Sequence, residues 1–280
     1  MCNCLFILHD FIQLQMAEVE NTPSKGVTLC NQPWAIRPIN GLLWICECQA
    51  TIELFDTQLE KRDTITLDDN CVGAVYDVLQ MNAEECILAS EGGLFLLHME
   101  TKATNLLRSG KFKSLALNDS ILYAFAYENA QVYCFSYEAG EKMLKEKQVI
   151  QPSLAVKEKQ FATIAVRKNE IFVCSMADNK IFVHELSGKN KLVRTLGDYG
   201  TLNVGRLNYP VIAQQLKDGS LLIADHDNHR YQLLRPDNRW EQLLRLGTKF
   251  PRGCLYSDGK LYTVSYSERN WLEVHLIGHL

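Results

Sequence analysis

The feature of this 280-residue sequence that most restricts its fold is a hairpin pattern that recurs six times. Short runs rich in Val, Ile, Leu, Phe and Tyr occupy residues 42–45, 87–89, 121–124, 171–173, 221–224 and 261–264. Runs of this length next to Gly, Asn or Asp are typical of β-strands, and no long segment after residue 20 has helical periodicity. The sequence therefore predicts an all-β protein built from a repeated unit.

The spacing of the hairpins indicates which repeat architecture is present. We mark the turn of each hairpin at one residue, and successive marks are 35 to 50 residues apart: Glu47, Ser90, Phe125, Ser175, Asp225 and Ser265. A four-stranded propeller blade takes about 40 to 50 residues, whereas a β-sandwich would not need six equivalent hairpins. We therefore expect a six-bladed β-propeller of four-stranded antiparallel blades, at approximate positions 31–71, 72–110, 111–155, 156–200, 201–247 and 248–280.

The last of these blades has too few strands, and this predicts how the ring closes. Residues 252–280 supply about three strands, so the fourth must come from elsewhere in the chain. The segment 25–30 is the natural donor, because pairing the two ends of the ring removes exposed sheet edges. Residues 21–280 then form the propeller, and residues 1–20 form an extension outside it.

Charge and cysteine content restrict the partners and the compartment. The formal net charge is −4, but residues 1–150 hold 11 Lys and Arg against 20 Asp and Glu, whereas residues 151–280 hold 18 against 13. An anionic ligand is therefore drawn to the C-terminal half. The ten cysteines lie mostly in apolar runs without metal-site spacing, which favours free thiols and a cytoplasmic location. No segment is typical of a membrane span.

One blade carries a specific motif. Residues 210–234 begin with proline and an apolar strand, continue through Asp218 and Gly219 to a second apolar strand ending at Asp225, and then read Asn228-His229-Arg230 before another apolar strand. This segment resembles the NHL repeat, a propeller blade type. The blade before it keeps Asp178-Asn179-Lys180 in the equivalent hairpin but has Ser175 where the pattern has Asp, and the other blades share only the hydrophobic spacing. Because short polar side chains suit a hairpin, we expect structural roles for Asp225 and Arg230, including turn capping and an ion pair.

The resemblance implies a recognition domain. NHL propellers are found as the C-terminal domains of tripartite-motif ubiquitin ligases, where they bind proteins or RNA, and in some lyases. This chain has no RING or B-box segment and no coiled coil. Ligase activity therefore does not follow from the resemblance, and such a chain would supply the substrate-reading module alone.

We find no pattern that predicts catalysis. There is no nucleophile elbow, no phosphate-binding glycine loop and no His-Glu-x-x-His helix. His226 and His229 lie beside Asp225 and Asp227, but the repeat pattern already explains most of this hairpin. We predict no catalytic residues, no metal and no cofactor, and a metal-dependent hydrolase or lyase remains an alternative.

We expect ligand binding on the propeller face that carries the hairpin turns and the loops between blades. In the C-terminal half these loops combine cations with aromatic side chains, with Arg252 and Arg269 expected to be exposed. A protein or peptide is the expected partner, because the net charge is negative; single-stranded RNA is the alternative. The proposed binding residues are Arg206, Tyr209, Lys249, Phe250, Arg252, Tyr266, Arg269 and Trp271.

Overall fold

The computed structural model describes residues 23–280 except residues 69, 155–160, 188–189 and 202. It confirms the all-β propeller, with six four-stranded antiparallel sheets arranged as blades. The expected extension over residues 1–20 lies outside the described residues. No helix in the described part of the chain is long and apolar enough to cross a membrane.

The strands follow one another in chain order, four to a blade. After β1 (Lys25–Leu29), blade 1 is β2 (Pro33–Ile39), β3 (Leu42–Glu47), β4 (Thr51–Phe55) and β5 (Lys61–Thr66). Blade 2 is β6 (Val75–Gln80), β7 (Glu85–Ser90), β8 (Gly93–His98) and β9 (Thr104–Ser109). Blade 3 is β10 (Phe112–Asn118), β11 (Ile121–Ala126), β12 (Gln131–Glu138) and β13 (Met143–Ile150).

The second half repeats this order with one inserted ladder. Blade 4 is β14 (Ala162–Arg167), β15 (Glu170–Ser175), β16 (Lys180–Glu185) and β17 (Leu192–Leu196), and a short parallel pair follows, β18 (Asp198–Tyr199) with β19 (Arg206–Leu207). Blade 5 is β20 (Pro210–Gln215), β21 (Leu221–Asp225), β22 (Arg230–Leu234) and β23 (Trp240–Arg245), with a 3-10 turn at His226–Asn228. Blade 6 is β24 (Phe250–Ser257), β25 (Lys260–Tyr266) and β26 (Asn270–Leu276).

Strand β1 closes the ring as the outermost strand of blade 6. It pairs antiparallel with β26, and Lys25 lies opposite Val274 while Leu29 lies opposite Asn270. The prediction drawn from counting strands is therefore confirmed. The reason is physical: without β1, the backbone groups along one side of β26 would face solvent unpaired.

The first strand of each blade lines the central channel. Strands β2, β6, β10, β14, β20 and β24 each contact the first strands of the neighbouring blades, so they form a closed ring. Apolar side chains on the blade faces fill the space between successive blades, as Ile36, Ile45 and Val264 do between blades 1 and 6. Burial of apolar side chains between neighbouring sheets thus holds the blades together. The side chains that face the channel are therefore available to form a site.

The two faces of the disc differ in which turns they carry. One face carries the turns after β3, β7, β11, β15, β21 and β25, together with the loops that lead from one blade into the first strand of the next. We call it the hairpin face. The opposite face carries the turns between first and second strands, such as Asn40 with Gly41 and Asp258 with Gly259. On the hairpin face, one residue of each second strand pairs with the start of the first strand: Glu47, Ser90, Ala126, Ser175, Asp225 and Ser265. In blade 3 this residue is Ala126, one position beyond the Phe125 that the sequence pattern marks.

Candidate functional site

The channel mouth on the hairpin face is built by β-bulges in the first strands. In four blades the strand register shifts around one residue near the start of the first strand. A bulge inserts an extra residue and redirects side chains, and bulges are common beside functional sites. The four residues so placed are Trp34, Tyr76, Lys113 and Arg252, and all four line one cavity inside the mouth.

Lys113 lies in a cage of aromatic rings. Its Nζ is 3.6 Å from the ring centroids of both Tyr76 and Phe161, 4.7 Å from that of Tyr127 and 4.9 Å from that of Trp34. The residue is only 3% exposed. Burial, with a smaller contribution from the charge of Arg252, lowers the pKa of Lys113 to about 7. Cation–π attraction opposes this shift because it favours the ammonium form.

Arg252 is the second buried cation of the mouth. Its guanidinium lies 4.7 Å from the ring of Trp34 and 5.3 Å from that of Tyr266, and the residue is 9% exposed. Within the described chain its Nε and Nη1 have no hydrogen-bond partner, and Nη2 is 3.4 Å from the Tyr266 hydroxyl. The expectation that Arg252 lies in an exposed loop is wrong, because β24 begins at Phe250 and carries Arg252 into the channel wall.

An aromatic cluster around His226 continues the mouth towards blades 5 and 6. The imidazole lies 5.6 Å from the ring of Tyr209, 5.1 Å from that of Phe250 and 5.4 Å from that of Tyr266. Its Nε2 is 2.8 Å from the Tyr266 hydroxyl, and Nδ1 bonds to the Asp227 carboxylate. Burial, then the charge of Arg252, lowers the pKa of His226 to about 4, so the ring is neutral near pH 7.

The remaining residues proposed from sequence lie apart from this cluster. Lys249 is 4.8 Å from the ring of Trp271 and forms an ion pair with Glu273, whose side chain is 3% exposed. Arg206 is exposed and lies 3.5 Å from the carboxylate of Asp198. Arg269 is exposed in the turn between β25 and β26. The structure thus brings together Tyr209, Phe250, Arg252 and Tyr266, and not the other four.

Placement in loops is also wrong for several aromatic residues. Phe250 and Tyr266 pair with each other as the ends of β24 and β25, and Trp271 lies in β26 opposite Ser265. Only Tyr209, Lys249 and Arg269 among the proposed residues lie outside strands. The residues expected to bind therefore lie mainly at strand ends, which hold side chains more rigidly than loops do.

Sequence reasoning missed the half of the mouth that comes from blades 1 to 4. Trp34, Tyr76, Lys113, Tyr127 and Phe161 lie in the acidic half of the chain or at its border, where the charge gradient drew no attention. One local signal was present: Trp34 follows Pro33 as Arg252 follows Pro251, each at the start of a first strand. A bulge itself leaves no recognisable residue pattern here.

The motif of blade 5 forms a buried polar network. The carboxylate of Asp225 accepts hydrogen bonds from the backbone N–H of Asn208 at 2.7 Å and from Asn228 Nδ2, Arg230 Nε and Gln232 Nε2, each at 2.8 Å. Asp225 and Arg230 are both fully buried. The network thus ties the hairpin of blade 5 to the link that enters the blade.

Arg230 extends this network to the inserted link between blades 4 and 5. Its Nη2 donates to the carbonyl oxygens of Asn203 and Arg206, at 3.0 and 2.8 Å. The link so fixed exposes Tyr199 and Val204 on the surface, at 65% and 47%. The motif side chains themselves are covered, so a ligand meets the link rather than Arg230.

The other motif residues have local roles. His229 adopts a left-handed backbone with φ of 53°, and its Nδ1 is 3.1 Å from the carbonyl oxygen of Lys249. Asp218 bonds to the backbone N–H and the hydroxyl of Ser220, both at 2.8 Å, in the turn where Gly219 has φ of 88°. That turn lies on the opposite face.

Blade 1 contains a related network with a different residue. Glu47 occupies the position of Asp225, and its carboxylate accepts hydrogen bonds from the backbone N–H and Nδ2 of Asn31, at 3.1 and 2.8 Å. Thr51 donates a third bond at 3.1 Å. Burial raises the pKa of Glu47. A carboxylate that fastens the incoming link thus recurs where the motif is not recognisable in sequence.

Cation-binding chemistry finds little support at the mouth. No group of three or more His, Cys, Asp and Glu side chains in the described part of the chain is arranged to hold a metal ion. Cys46 is fully buried and Cys48 partly buried, and burial raises the pKa of both thiols. Thiols in this state are poor metal ligands and poor nucleophiles.

No protein-family model and no curated protein matches the sequence. Solved structures do match, at identities that show the fold alone. An auxiliary nutrient binding protein from Bacteroides thetaiotaomicron is 15% identical with a TM-score of 0.65, over 88% of this chain and 69% of that one. A chain of a mitotic checkpoint complex is 9% identical with a TM-score of 0.67, over 92% and 93%.

A third similar structure belongs to an enzyme. It is a catalytically inactive histidine-to-alanine variant of virginiamycin B lyase from Staphylococcus aureus, with quinupristin, 13% identical with a TM-score of 0.59 over 89% of this chain and 83% of that one. The chain therefore shares its propeller fold with binding proteins and with a lyase.

Proposed function

We propose that this chain is a non-enzymatic recognition propeller that binds a protein or peptide partner on the hairpin face. The observation that carries the proposal is the arrangement of Arg252 between Trp34 and Tyr266, buried and with two nitrogens that lack a hydrogen-bond partner in the described part of the chain. Trp, Tyr and Arg are the residues most enriched among those that dominate binding energy at protein interfaces.

Aromatic side chains around Arg252 offer the partner an apolar surface. Tyr209, Phe250 and Tyr266 are half-buried at the mouth, and the rings of Phe250 and Tyr266 stack at 5.3 Å. Because the clustered rings are held by strand ends, little side-chain entropy is lost on binding. An extended segment lying across the mouth would contact these rings with one side.

A protein partner is favoured over single-stranded RNA by the state of the surface cations. RNA affinity comes largely from Lys and Arg that neutralise phosphates. In the described chain Lys249 is already paired with Glu273 and Arg206 with Asp198, and Lys180 shares that same Asp198. Three of the cations that RNA would meet on this side of the molecule are thus already paired with carboxylates.

The finer part of the proposal concerns the type of protein. The motif residues Asp225, Asn228, His229 and Arg230 support an NHL-type blade, and we propose that the chain serves as the substrate-reading module of a ubiquitin-ligase type protein. The fold shared with a chain of a mitotic checkpoint complex is compatible with work inside a larger assembly. A metal-dependent lyase finds no support in the described residues beyond its shared fold.

The test is a selection of displayed random peptides with the whole chain as bait, followed by affinity measurements. We expect the selected peptides to lose about tenfold or more in affinity for Tyr266→Ala, a loss that corresponds to about 1.4 kcal/mol. The matched control is the pair Lys168→Glu and Lys217→Glu, two exposed residues on the opposite face, which should leave affinity unchanged. Equal losses from the control pair, or tight binding of poly-uridine RNA that weakens steeply with salt, would contradict the proposal.

A further inference from the structure

Two buried cations at the channel mouth share one aromatic ring. Lys113 Nζ is 4.9 Å and the Arg252 guanidinium 4.7 Å from the ring of Trp34, and the charge of Arg252 acts on Lys113. Neither forms an ion pair with a described residue. Buried charges are normally paired, because removing them from water is costly. The mouth therefore carries the Arg252 guanidinium, and Lys113 whenever it is protonated, without a carboxylate partner among the described residues.

The surroundings stabilise the cations without satisfying their hydrogen bonds. The π faces of Tyr76, Phe161 and Tyr127 attract the Lys113 ammonium, but a ring face is a weak acceptor compared with a carboxylate. The nearby carboxylate of Glu91 is engaged by two phenols, with its Oε1 at 2.9 Å from the Tyr76 hydroxyl and 3.4 Å from the Tyr127 hydroxyl. Donor capacity at Lys113 and Arg252 thus remains for an incoming anion.

The room inside the mouth restricts the kind of anion. The cavity that the two cations line measures about 10 Å³, and its wall also includes Thr163 and Val211 and the ion pair of Arg37 with Asp77. This is about the space that one water molecule needs. The space admits a single oxygen of an anionic group, and a carboxylate can insert one oxygen there while its other oxygen stays at the surface.

We propose that the mouth recognises a carboxylate of the partner, from an Asp or Glu side chain or a free C-terminus, held between Arg252 and Lys113 with Trp34 beneath it. This inference rests on the proposed function and names the partner chemistry that the same face accepts. An acidic peptide segment is the occupant, since it supplies a carboxylate and apolar side chains for the rings of Phe250 and Tyr266.

The probes are three short peptides that differ in one group: Ac-Gly-Glu-Gly-NH2, the same peptide with Gln, and Ac-Gly-Gly-Gly with a free carboxylate. Binding is followed by NMR through the indole N–H of Trp34 and the side-chain carbon next to the Lys113 nitrogen. We expect saturable shifts with the Glu peptide, the free C-terminus or both, and no shift with the Gln peptide. Whichever carboxylate peptide binds identifies the source.

Variants assign the shifts to the two cations. Arg252→Met and Lys113→Met should each reduce affinity for the carboxylate peptide at least tenfold, whereas Lys168→Met on the opposite face should not change it. Thermal melting shows which variants are folded. If Arg252→Met does not fold, Arg252→Lys, which keeps the charge, replaces it as the second variant. Equal binding of the Glu and Gln peptides, or undiminished binding to both folded Met variants, would overturn the inference.

Two further outcomes separate this inference from the proposal on which it rests. If displayed peptides bind the hairpin face and replacing each of their acidic residues has no effect, recognition of a carboxylate is wrong and the recognition function stands. If no displayed peptide depends on Tyr266 while the short carboxylate peptides still bind, the recognition function fails and the carboxylate site remains.

Discussion

The two mouths of the channel are made by the same six strands and differ in almost every chemical respect. On the hairpin face the mouth is filled by the side chains of Trp34, Tyr76, Lys113 and Arg252, which leave a cavity of only about 10 Å³. On the opposite face the mouth opens into a cavity of about 410 Å³, lined mainly by aliphatic side chains and main chain of β10, β14 and β20. Bulges occur near the start of four first strands and redirect large side chains inwards.

An ion pair separates the two mouths. Arg37 lines both cavities, its Nε lies 2.9 Å from a carboxylate oxygen of Asp77, and its Nη1 donates to the carbonyl oxygen of Ala213 at 2.7 Å. Asp77 also accepts the backbone N–H of Leu115 at 2.8 Å. Residues of four blades are thus joined at mid-channel.

The largest expected effect comes from removing this divider. Arg37→Met leaves the Asp77 carboxylate, 2% exposed, buried without its counter-ion, and breaking a buried pair in this way costs about 3–5 kcal/mol. We expect a loss of this size in the free energy of unfolding, measured by urea denaturation. The double variant Arg37→Met with Asp77→Leu should recover part of the loss; no recovery would show that the carbonyl contact with Ala213 dominates.

A smaller effect of opposite sign is expected at the hairpin-face mouth. The pKa of Lys113 falls from its usual 10.5 to about 7, so between these values the unfolded chain binds more protons and stability rises with pH. Below pH 7 Lys113 is protonated in the folded chain, and the full cost of burying its charge lowers the free energy of unfolding. Lys113→Met removes this cost, and we expect a gain in the free energy of unfolding at pH 6 that falls by about 2–3 kcal/mol as the pH rises to 9.

The charges that face Lys113 constrain how this titration is read. These charges belong to Glu91 and Arg252. The Cys48 thiol and the phenols of Tyr76 and Tyr127 are also nearby, but their pKa values are raised above the pH range of 6 to 9 that the experiment covers. Lys168→Met on the opposite face is the control. A pH-independent gain would mean that packing rather than charge explains the change.

The smallest expected effects compare one side chain from each mouth. Tyr266→Phe removes the hydroxyl that meets His226 Nε2 at 2.8 Å, a loss of about 1 kcal/mol for a hydrogen bond of this kind. Leu117→Ala in the opposite mouth, where Leu117 is 41% exposed, should cost less than about 0.5 kcal/mol. Thermal melting of the two variants side by side measures the difference, and a larger loss from Leu117→Ala would reverse the ranking of the two mouths.

Much of the fold was predictable because each blade leaves a local trace. The second strands are apolar and end near turn residues, so six of them at regular intervals indicate six blades, and the short last blade indicates closure by residues 25–30. The motif around Asp225 marks one hairpin whose geometry depends on a buried carboxylate. These features depend on neighbours in sequence or on a count.

The site was less predictable because it joins residues from distant blades. Lys113 and Arg252 are both expected on the surface when each is judged alone as a charged residue, and their burial follows from bulges that the sequence does not mark. The charge gradient directed attention to residues 151–280, yet some of the cations there, such as Lys249 with Glu273, are already in ion pairs. The ring centroids of Trp34 and Phe161 are 5.9 Å apart in the mouth, although most of blade 1 and all of blades 2 and 3 lie between the two residues in sequence.

Ring closure by β1 also determines how the propeller can be tethered. Because β1 and β26 are antiparallel and Lys25 lies opposite Val274, the chain enters blade 6 and leaves it on the side of the opposite face. Gly278 extends this, as its N–H donates to the carbonyl oxygen of Gly259 in a turn of that face. A label, bead or domain fused directly before Lys25 or after Leu280 would therefore hold the disc from the opposite face, with the channel mouth of the hairpin face directed outwards.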